Sequence, residues 1–109
     1  MNFDIEKDIR PSLQLMLDQT FPNISEKRKI IKRTSEYAMS CCICGDSEKN
    51  MSKKRGTLYF NALKYRCYNC GYKATYLTLL KNFNIEIDPF KKLEITDYVR
   101  ETVDKIHFS

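Results

Sequence analysis

The first third of the chain places its apolar residues at helical spacing. Three of them fall on one face of a helix predicted over residues 11–20: Leu13, Met16 and Leu17. A proline suits the first turn of this helix, and the Phe-Pro-Asn sequence that follows ends it. A second, very basic helix is predicted over residues 26–33, with Ser25 as its N-cap and with Ile30 and Ile31 directed inward.

From residue 35 the pattern changes to short segments rich in aromatic and β-favouring residues. These segments predict three strands, at residues 37–41, 57–60 and 64–68. Asn61-Ala62-Leu63 is short enough to join the last two strands as a hairpin. A polar loop is predicted at residues 45–56, so the strands form a short antiparallel sheet with one long connection.

Helical spacing returns after Gly71. One predicted helix ends at residues 82–84 and carries four apolar residues on one face: Ala74, Leu77, Leu80 and Phe83. Pro89 marks a break. A weaker helix is predicted over residues 95–107, and its apolar positions are Ile95, Val99, Val103 and Ile106.

Length and composition restrict the classes of protein that the chain can represent. A chain of 109 residues, 42% of them apolar, predicts one small folded domain. It contains no run of about eighteen apolar residues, which argues against a membrane span. The charged N-terminal sequence lacks the apolar centre of a secretory signal, so we expect a cytoplasmic, reducing location. In that setting the five cysteines indicate a metal site rather than disulfides.

Basic residues are concentrated in the first three quarters of the chain. Residues 1–83 contain 15 lysines and arginines against 8 acidic residues, whereas residues 84–109 contain 4 against 6. A positive surface of this size suits contact with a polyanion such as a nucleic acid. A lysine-rich solvated surface explains the same numbers equally well.

Two Cys-x-x-Cys-Gly units carry the strongest chemical signal. Cys41 and Cys44 form the first unit and Cys67 and Cys70 the second, with 22 residues between them. Each unit brings two thiolates within reach of one ion, and its glycine relieves crowding where backbone amides turn towards sulfur. Two units supply the tetrahedral sulfur shell that Zn²⁺ accepts, so we predict one structural zinc ion. A filled shell leaves no open position for water, so this ion would organise structure rather than activate a nucleophile.

Other interpretations of the cysteines and of the histidine stay open at this point. A redox-active cysteine pair would need only one Cys-x-x-Cys unit, so the presence of two units disfavours it. Iron in a rubredoxin-like site would use the same four ligands as zinc. Cys42 is interpreted as a bystander thiol, because its spacing to Cys44 is tighter than zinc ligands use. His107, the single histidine, is interpreted as a surface or tail residue.

The predicted fold is a small α+β protein. It is a zinc ribbon, with a short antiparallel sheet and a tetracysteine zinc site, flanked by N-terminal and C-terminal helices. Its predicted parts are an N-terminal helical segment (1–34), a zinc-ribbon domain (35–83) and a C-terminal linker and helix (84–109). In so small a chain we expect metal binding and folding to be nearly one event.

Basic and aromatic residues interleave around the predicted metal site. Strand alternation places Lys64, Arg66 and Tyr68 on one face, and Tyr65 and Cys67 on the other. Cations and tyrosine rings on one face can contact phosphates while unpaired bases stack on the rings. The candidate nucleic-acid-binding residues are Lys53, Lys54, Arg55, Tyr59, Lys64, Arg66, Tyr68 and Lys73. For the first three members of this set, a solvated loop is an equally good interpretation.

Three segments occur in a distinctive order. They are Cys-Cys-Ile-Cys-Gly-Asp-Ser at 41–47, Lys-Arg-Gly-Thr-Leu-Tyr-Phe at 54–60, and Tyr-Arg-Cys-Tyr-Asn-Cys-Gly-Tyr-Lys-Ala at 65–74. This order resembles the N-terminal zinc-binding domain of tailed-phage DNA primases, which are relatives of the bacterial replicative primases. The likeness covers residues 35 to 83. Many bacterial members have a histidine in the first Cys-x-x-Cys unit. This chain has cysteine there instead, as phage members often have.

The resemblance implies a ribbon that recognises a short priming sequence in single-stranded template DNA and helps to hold the nascent RNA primer. By this resemblance Cys41, Cys44, Cys67 and Cys70 are the zinc ligands, and residues on the 55–68 strands contact the template. The implied partners are the template, the primase catalytic domain and the replicative helicase. The acidic catalytic domain of such primases is missing, so we expect either a fragment of a longer primase or a stand-alone relative with a different role. Because the sequence opens with Met1, an N-terminal fragment is the simpler interpretation.

Two further functions fit the same sequence. The first is a zinc ribbon of a viral or phage transcription factor or of an RNA polymerase accessory protein. The second is a structural interaction protein whose N-terminal helices dock on a partner. The sequence contains no Walker loop, no Ser/His/Asp grouping and no Asp-x-Asp pair, so we expect that the chain by itself is not an enzyme.

Overall fold

The computed structural model describes residues 3–45 and 53–108, and side chains as far as residue 102. The polar loop predicted at 45–56 lies largely outside these ranges. The side chains of Val103, Ile106 and His107 also lie outside the described part. Within it, the chain combines helices with one antiparallel sheet, which confirms the predicted α+β class.

The helices begin where capping residues or prolines favour them. Their bounds are α1 (Ile5–Asp8), α2 (Arg10–Thr20), α3 (Tyr76–Asn82) and α4 (Pro89–Phe108). The Asp4 carboxylate caps α1 by accepting from the Glu6 N–H at 2.8 Å. A proline lies in the first turn of α2, whose buried face consists of Leu13, Met16 and Leu17, as predicted. None of the helices in the described residues combines the length and the apolar character needed to cross a bilayer.

Five strands pair in chain order within the described ranges. They are β1 (Ile31–Lys32), β2 (Glu36–Met39), β3 (Gly56–Tyr59), β4 (Lys64–Cys67) and β5 (Lys73–Thr75), and each pairs antiparallel with the next. Connections of three to five residues join β1 to β2, β3 to β4 and β4 to β5, whereas the longer segment 40–55, part of which lies outside the described ranges, joins β2 to β3. The sheet therefore has β1 at one edge and β5 at the other.

The predicted hairpin joins β3 to β4 through a 3₁₀ turn at Asn61–Leu63. Ala62 and Leu63 have φ of 59° and 45°, in the left-handed region that non-glycine residues rarely adopt. Two hydrogen bonds with helix α4 stabilise this turn. The Tyr98 hydroxyl donates to the Phe60 carbonyl at 2.7 Å, and the Ala62 N–H donates to Thr102 Oγ1 at 2.8 Å.

The helix predicted over residues 26–33 is wrong. A single 3₁₀ turn occupies Ser25–Arg28, and Ile31 lies in β1, opposite Ala38 of β2, with 45% of its surface exposed. Of the two isoleucines predicted to face inward, Ile30 packs against the core and Ile31 does not. Sheet pairing with the next strand, β2, outweighs the helical propensity of this basic segment.

The other helix boundaries also differ from the prediction. Ala74 belongs to β5, and α3 starts only at Tyr76. Thr75 is the N-cap of α3, and its side chain accepts a hydrogen bond from the Thr78 N–H at 3.2 Å. The buried face of α3 consists of Tyr76, Leu79 and Leu80. Helix α4 starts at the proline that was predicted as a break, because proline is well tolerated in a first helical turn.

One hydrophobic core connects all three predicted parts of the chain. It contains Leu13 of α2, Tyr37 and Leu58 of the sheet, and Ile95 of α4. Cys41 and Cys67 are fully buried members of the same core. The cysteine cluster described below therefore sits at one margin of the core rather than on a separate module.

Candidate metal centre

Four cysteines converge at the end of the sheet where β2 and β4 terminate on either side of β3. Cys41 follows β2 and Cys67 ends β4, and both are buried, whereas Cys44 and Cys70 are exposed. The Cys41 and Cys70 sulfurs are 4.0 Å apart, the Cys44 and Cys67 sulfurs are 3.8 Å apart, and all four lie within 4.8 Å of one another. Four sulfurs at about 2.3 Å from a zinc ion form a tetrahedron with edges of about 3.8 Å. The four cysteines can therefore hold a metal ion.

The two Cys-x-x-Cys-Gly units, which we call the first knuckle (41–45) and the second knuckle (67–71), share one backbone geometry. In each, the glycine after the second cysteine donates its N–H to the carbonyl of the first at 3.0 Å, and these glycines, Gly45 and Gly71, have φ of 77° and 79°. This left-handed conformation explains the glycine at both positions. Amides inside each turn point at sulfur: Ile43 N lies 3.4 Å from Cys41 Sγ, and Asn69 N lies 3.3 Å from Cys67 Sγ. Such donors favour thiolates.

Burial keeps the inner thiols protonated until a metal binds. It raises the pKa of Cys41, although the Tyr65 hydroxyl and nearby backbone amides oppose the shift. It also raises the pKa of Cys67 to about 12, against the opposing effect of the Cys70 and Asn69 backbone amides. Metal binding must therefore release protons from the cluster, which makes affinity depend on pH. Cys42 is not a member of the cluster, and burial raises its pKa to about 11.

Two polar side chains that the sequence did not single out contact the knuckles. Asn69 Nδ2 lies 3.5 Å from Cys44 Sγ, and its Oδ1 accepts from Arg55 Nη1 at 2.5 Å. The Lys27 side chain is 4% exposed, and its ammonium donates to the Gly45 carbonyl at 2.5 Å. A buried ammonium beside the first knuckle offsets the negative charge of a tetrathiolate site. No local pattern distinguishes Lys27 from its exposed basic neighbours, which is why sequence reasoning missed it.

Half of the candidate nucleic-acid-binding residues lie together on the outer face of the sheet. The β4 side chains alternate as predicted, with Lys64 and Arg66 exposed and Tyr65 and Cys67 buried. Register pairs Lys64 with Tyr59 of β3, and Arg66 with Lys73 of β5. A groove of about 430 Å³ runs across these strands. We call it the basic groove and define it by Tyr59, Lys64, Arg66 and Lys73. The described residues that line it include no acidic side chain.

Tyr68 joins the basic groove to the metal cluster. It lies between Cys67 and Cys70, its side chain is exposed, and its hydroxyl contacts the Tyr59 hydroxyl. The Arg66 guanidinium lies over the Tyr68 ring. The second knuckle thus places an aromatic ring directly beside the cations of the groove.

The remaining three candidates lie outside the lining of the basic groove. The Lys54 ammonium donates to the Glu26 carbonyl at 2.9 Å, and Arg55 binds the second knuckle through Asn69. The Lys53 side chain is exposed, and its carbonyl accepts from Ser40 Oγ at 3.4 Å. These polar contacts tie the segment to the 3₁₀ turn at Ser25–Arg28, to Ser40 and to the second knuckle.

Comparison with known proteins adds no family assignment. No protein-family model matches the chain, and no curated protein matches it significantly in sequence. The geometry of the cluster and of the basic groove therefore carries the functional argument.

Proposed function

We propose that the chain is a zinc-ribbon domain that binds single-stranded DNA, of the kind that recognises template for phage DNA primases. The observation that carries this proposal is the basic groove. Three cations and one tyrosine share a groove without acidic lining among the described residues, and the Arg66–Tyr68 stack borders it. Single-stranded nucleic acid is bound by this combination of cations that track phosphates and rings on which bases stack.

The proposed zinc ion is held by Cys41, Cys44, Cys67 and Cys70. A sulfur-only ligand set suits zinc, and two of the distances between sulfurs, 4.0 and 3.8 Å, are close to the edge of a tetrahedral shell. When bound, the ion supplies a cross-link between the ends of β2 and β4. Iron has the same geometric requirements, so metal analysis of protein purified without added metal decides between the two. One zinc per chain supports the proposal, and stoichiometric iron overturns the zinc assignment.

Different residues of the chain would bind the phosphates and the bases of the template. Lys64, Arg66 and Lys73 lie on adjacent strands and would contact successive phosphates. Tyr59 and Tyr68 would offer rings to unstacked bases, because base–aromatic stacking stabilises by about 1–3 kcal/mol per base. Sequence preference would arise from base-edge contacts that add to this uniform attraction.

The proposal is tested by titrating labelled short oligonucleotides with the zinc-loaded full chain and following fluorescence anisotropy at several salt concentrations. We expect binding to single strands, weaker binding to duplexes of the same sequence, and a steep fall in affinity with salt. Lys64→Ala should weaken binding, whereas Lys92→Ala, at an exposed position on α4, serves as the control. If no single strand binds at low salt, the proposal fails.

A second assay addresses the primase context. The implied partners are a primase catalytic domain and a replicative helicase. Stimulation of primer synthesis when the chain is added to such a catalytic domain would support template recognition. Recovery of RNA polymerase subunits in place of replication proteins would favour the transcription-factor alternative.

A further inference from the structure

The Tyr65 side chain occupies an unusual position beside the metal cluster. The residue is 1% exposed and lies on β4, on the core face of the sheet. Its ring packs against Tyr72, with centroids 6.1 Å apart. Its hydroxyl oxygen is buried and makes no well-formed hydrogen bond within the part of the chain that the structure describes.

The hydroxyl is nevertheless directed at the cluster. Its neighbour on one side is the backbone of Gly56, where a Cβ atom would lie 2.5 Å from the Tyr65 oxygen and 2.9 Å from the Met39 carbonyl. Glycine at this position thus leaves the space that the hydroxyl fills. Gly56 pairs with Met39 of β2 and with Cys67 of β4, so the hydroxyl lies at the strand ends that carry Cys41 and Cys67, where it interacts with the Cys41 thiol.

A purely structural role does not account for the hydroxyl. Phenylalanine would fill the same volume without burying an unpartnered polar group, which is costly. A neutral thiol is a weak acceptor, whereas a metal-bound thiolate is a good one. The hydroxyl therefore gains a strong acceptor only when the cluster is loaded.

We propose that Tyr65 is a positioning residue of the metal centre, whose hydroxyl donates a hydrogen bond to the Cys41 thiolate of the loaded cluster. This inference rests on the metal site of the proposed function. Partners outside the ligand shell orient ligands and tune the metal, and their removal costs about 10- to 100-fold in metal affinity. Cys41 and Cys67 are the two fully buried sulfurs, and Cys67 Sγ already accepts from the Asn69 and Cys70 amides, whereas Cys41 Sγ accepts from the Ile43 amide.

The test compares Tyr65→Phe with the wild-type full chain, and with Tyr37→Phe as the matched control. Tyr37 is also fully buried with an unpartnered hydroxyl, but it lies beside Glu6 rather than the cluster. We expect Tyr65→Phe to weaken zinc binding by about tenfold. In the Co²⁺-substituted protein the sulfur-to-cobalt charge-transfer band should move to lower energy, because a thiolate without the donated proton is the better electron donor. Tyr37→Phe should change neither quantity.

The metal-free form separates positioning from packing. Without metal, Tyr65→Phe should be at least as stable as the wild type, since it buries no unsatisfied hydroxyl. Equal losses of metal-free stability and zinc affinity would indicate packing alone and overturn the inference. Zinc affinity within about twofold of wild type, with an unmoved charge-transfer band, would overturn it too. A wild-type chain that binds no zinc would instead refute the proposed function.

A measurement without any substitution covers the case in which Tyr65→Phe does not fold. In the wild-type chain loaded with NMR-active cadmium, the Tyr65 hydroxyl proton should exchange slowly with water and show scalar coupling to the metal through the hydrogen bond. Rapid exchange without coupling would contradict the inference.

Discussion

The guanidinium carbon of Arg66 lies 4.9 Å from the centroid of the Tyr68 ring. Arg66 is an exposed residue of β4, whereas Tyr68 belongs to the second metal knuckle, between Cys67 and Cys70. Arginine stacks on aromatic faces through cation–π attraction, worth about 0.5–1 kcal/mol at exposed sites. This stack connects the metal cluster to the basic groove, so the two proposed parts of the function are coupled through one pair of side chains.

Replacement of Arg66 should separate charge from stacking. Arg66→Ala removes one phosphate contact, so we expect about tenfold weaker binding to single-stranded DNA and a salt slope smaller by about 0.7. Arg66→Lys keeps the charge but loses the planar stack, so affinity should fall only about two- to fivefold with an unchanged slope. Anisotropy titrations over a range of salt concentrations measure both quantities. Equal effects of the two substitutions on the slope would contradict this account.

Replacement of single cysteines should identify the metal ligands. Cys67→Ser removes a buried ligand, so we expect metal affinity to fall by more than about 100-fold, the upper limit for residues outside the ligand shell. Cys42→Ser is the matched control, because Cys42 lies next to the cluster without belonging to it. Metal content by elemental analysis and a competition titration with a chromophoric chelator report the outcome. Metal loss in Cys42→Ser with full retention in the Cys67 variant would show that the ligand assignment is wrong.

Removal of the metal should lower thermal stability strongly. Free metal at a thousandfold excess over Kd stabilises the folded state by about 4 kcal/mol. In a domain of this size each kcal/mol changes Tm by about 4–8 °C, so chelation should lower Tm on the order of 20 °C. Zinc should restore the original Tm, whereas Mg²⁺, which prefers oxygen ligands, should not. A Tm that is the same before and after chelation would rule out the expected coupling of metal binding to folding.

Local sequence patterns predicted those features in which neighbouring residues alternate between core and solvent. The face of α2 and the alternation of β4 belong to this class, because both periods are set within a few residues. The cysteine cluster was predictable for a related reason. Each Cys-x-x-Cys-Gly unit fixes its own turn, and only the pairing of the two units depends on the fold.

Features that depend on how separate segments pair in the folded sheet were not predictable. β1 is two residues long and exists only because Ile31 and Lys32 pair with β2. β5 resembled the start of a helix, since Ala74 shares helical spacing with the apolar residues that follow, yet it pairs with β4. Arg55 reaches Asn69 of the second knuckle, a contact that only the folded sheet brings about, and its predicted contact with DNA stays a prediction.

The ion pairs of Glu6 should give the folded state a measurable dependence on pH. Glu6 accepts from Arg10 Nη1 at 3.0 Å and lies 3.0 Å from Lys32 Nζ, so it connects the N-terminal helices to β1. Lys32 and Arg10 lower the pKa of Glu6 from 4.5 to about 2. Folding therefore favours the ionised carboxylate. Its stabilising contribution is present above about pH 4.5 and is lost as the pH falls towards 2.

Comparison of Glu6→Gln with wild type by denaturant unfolding isolates this contribution. The difference between their free energies of unfolding should be constant above about pH 5 and should shrink between pH 4.5 and 2. Release of metal in acid affects both proteins and cancels in the difference. Salt should reduce the difference at neutral pH, because these side chains are partly exposed and their attraction is screened. Glu86→Gln, at an exposed position outside this network, is the control. A difference for Glu6→Gln that stays constant down to pH 2 would mean that the carboxylate's ion pairs do not stabilise the fold.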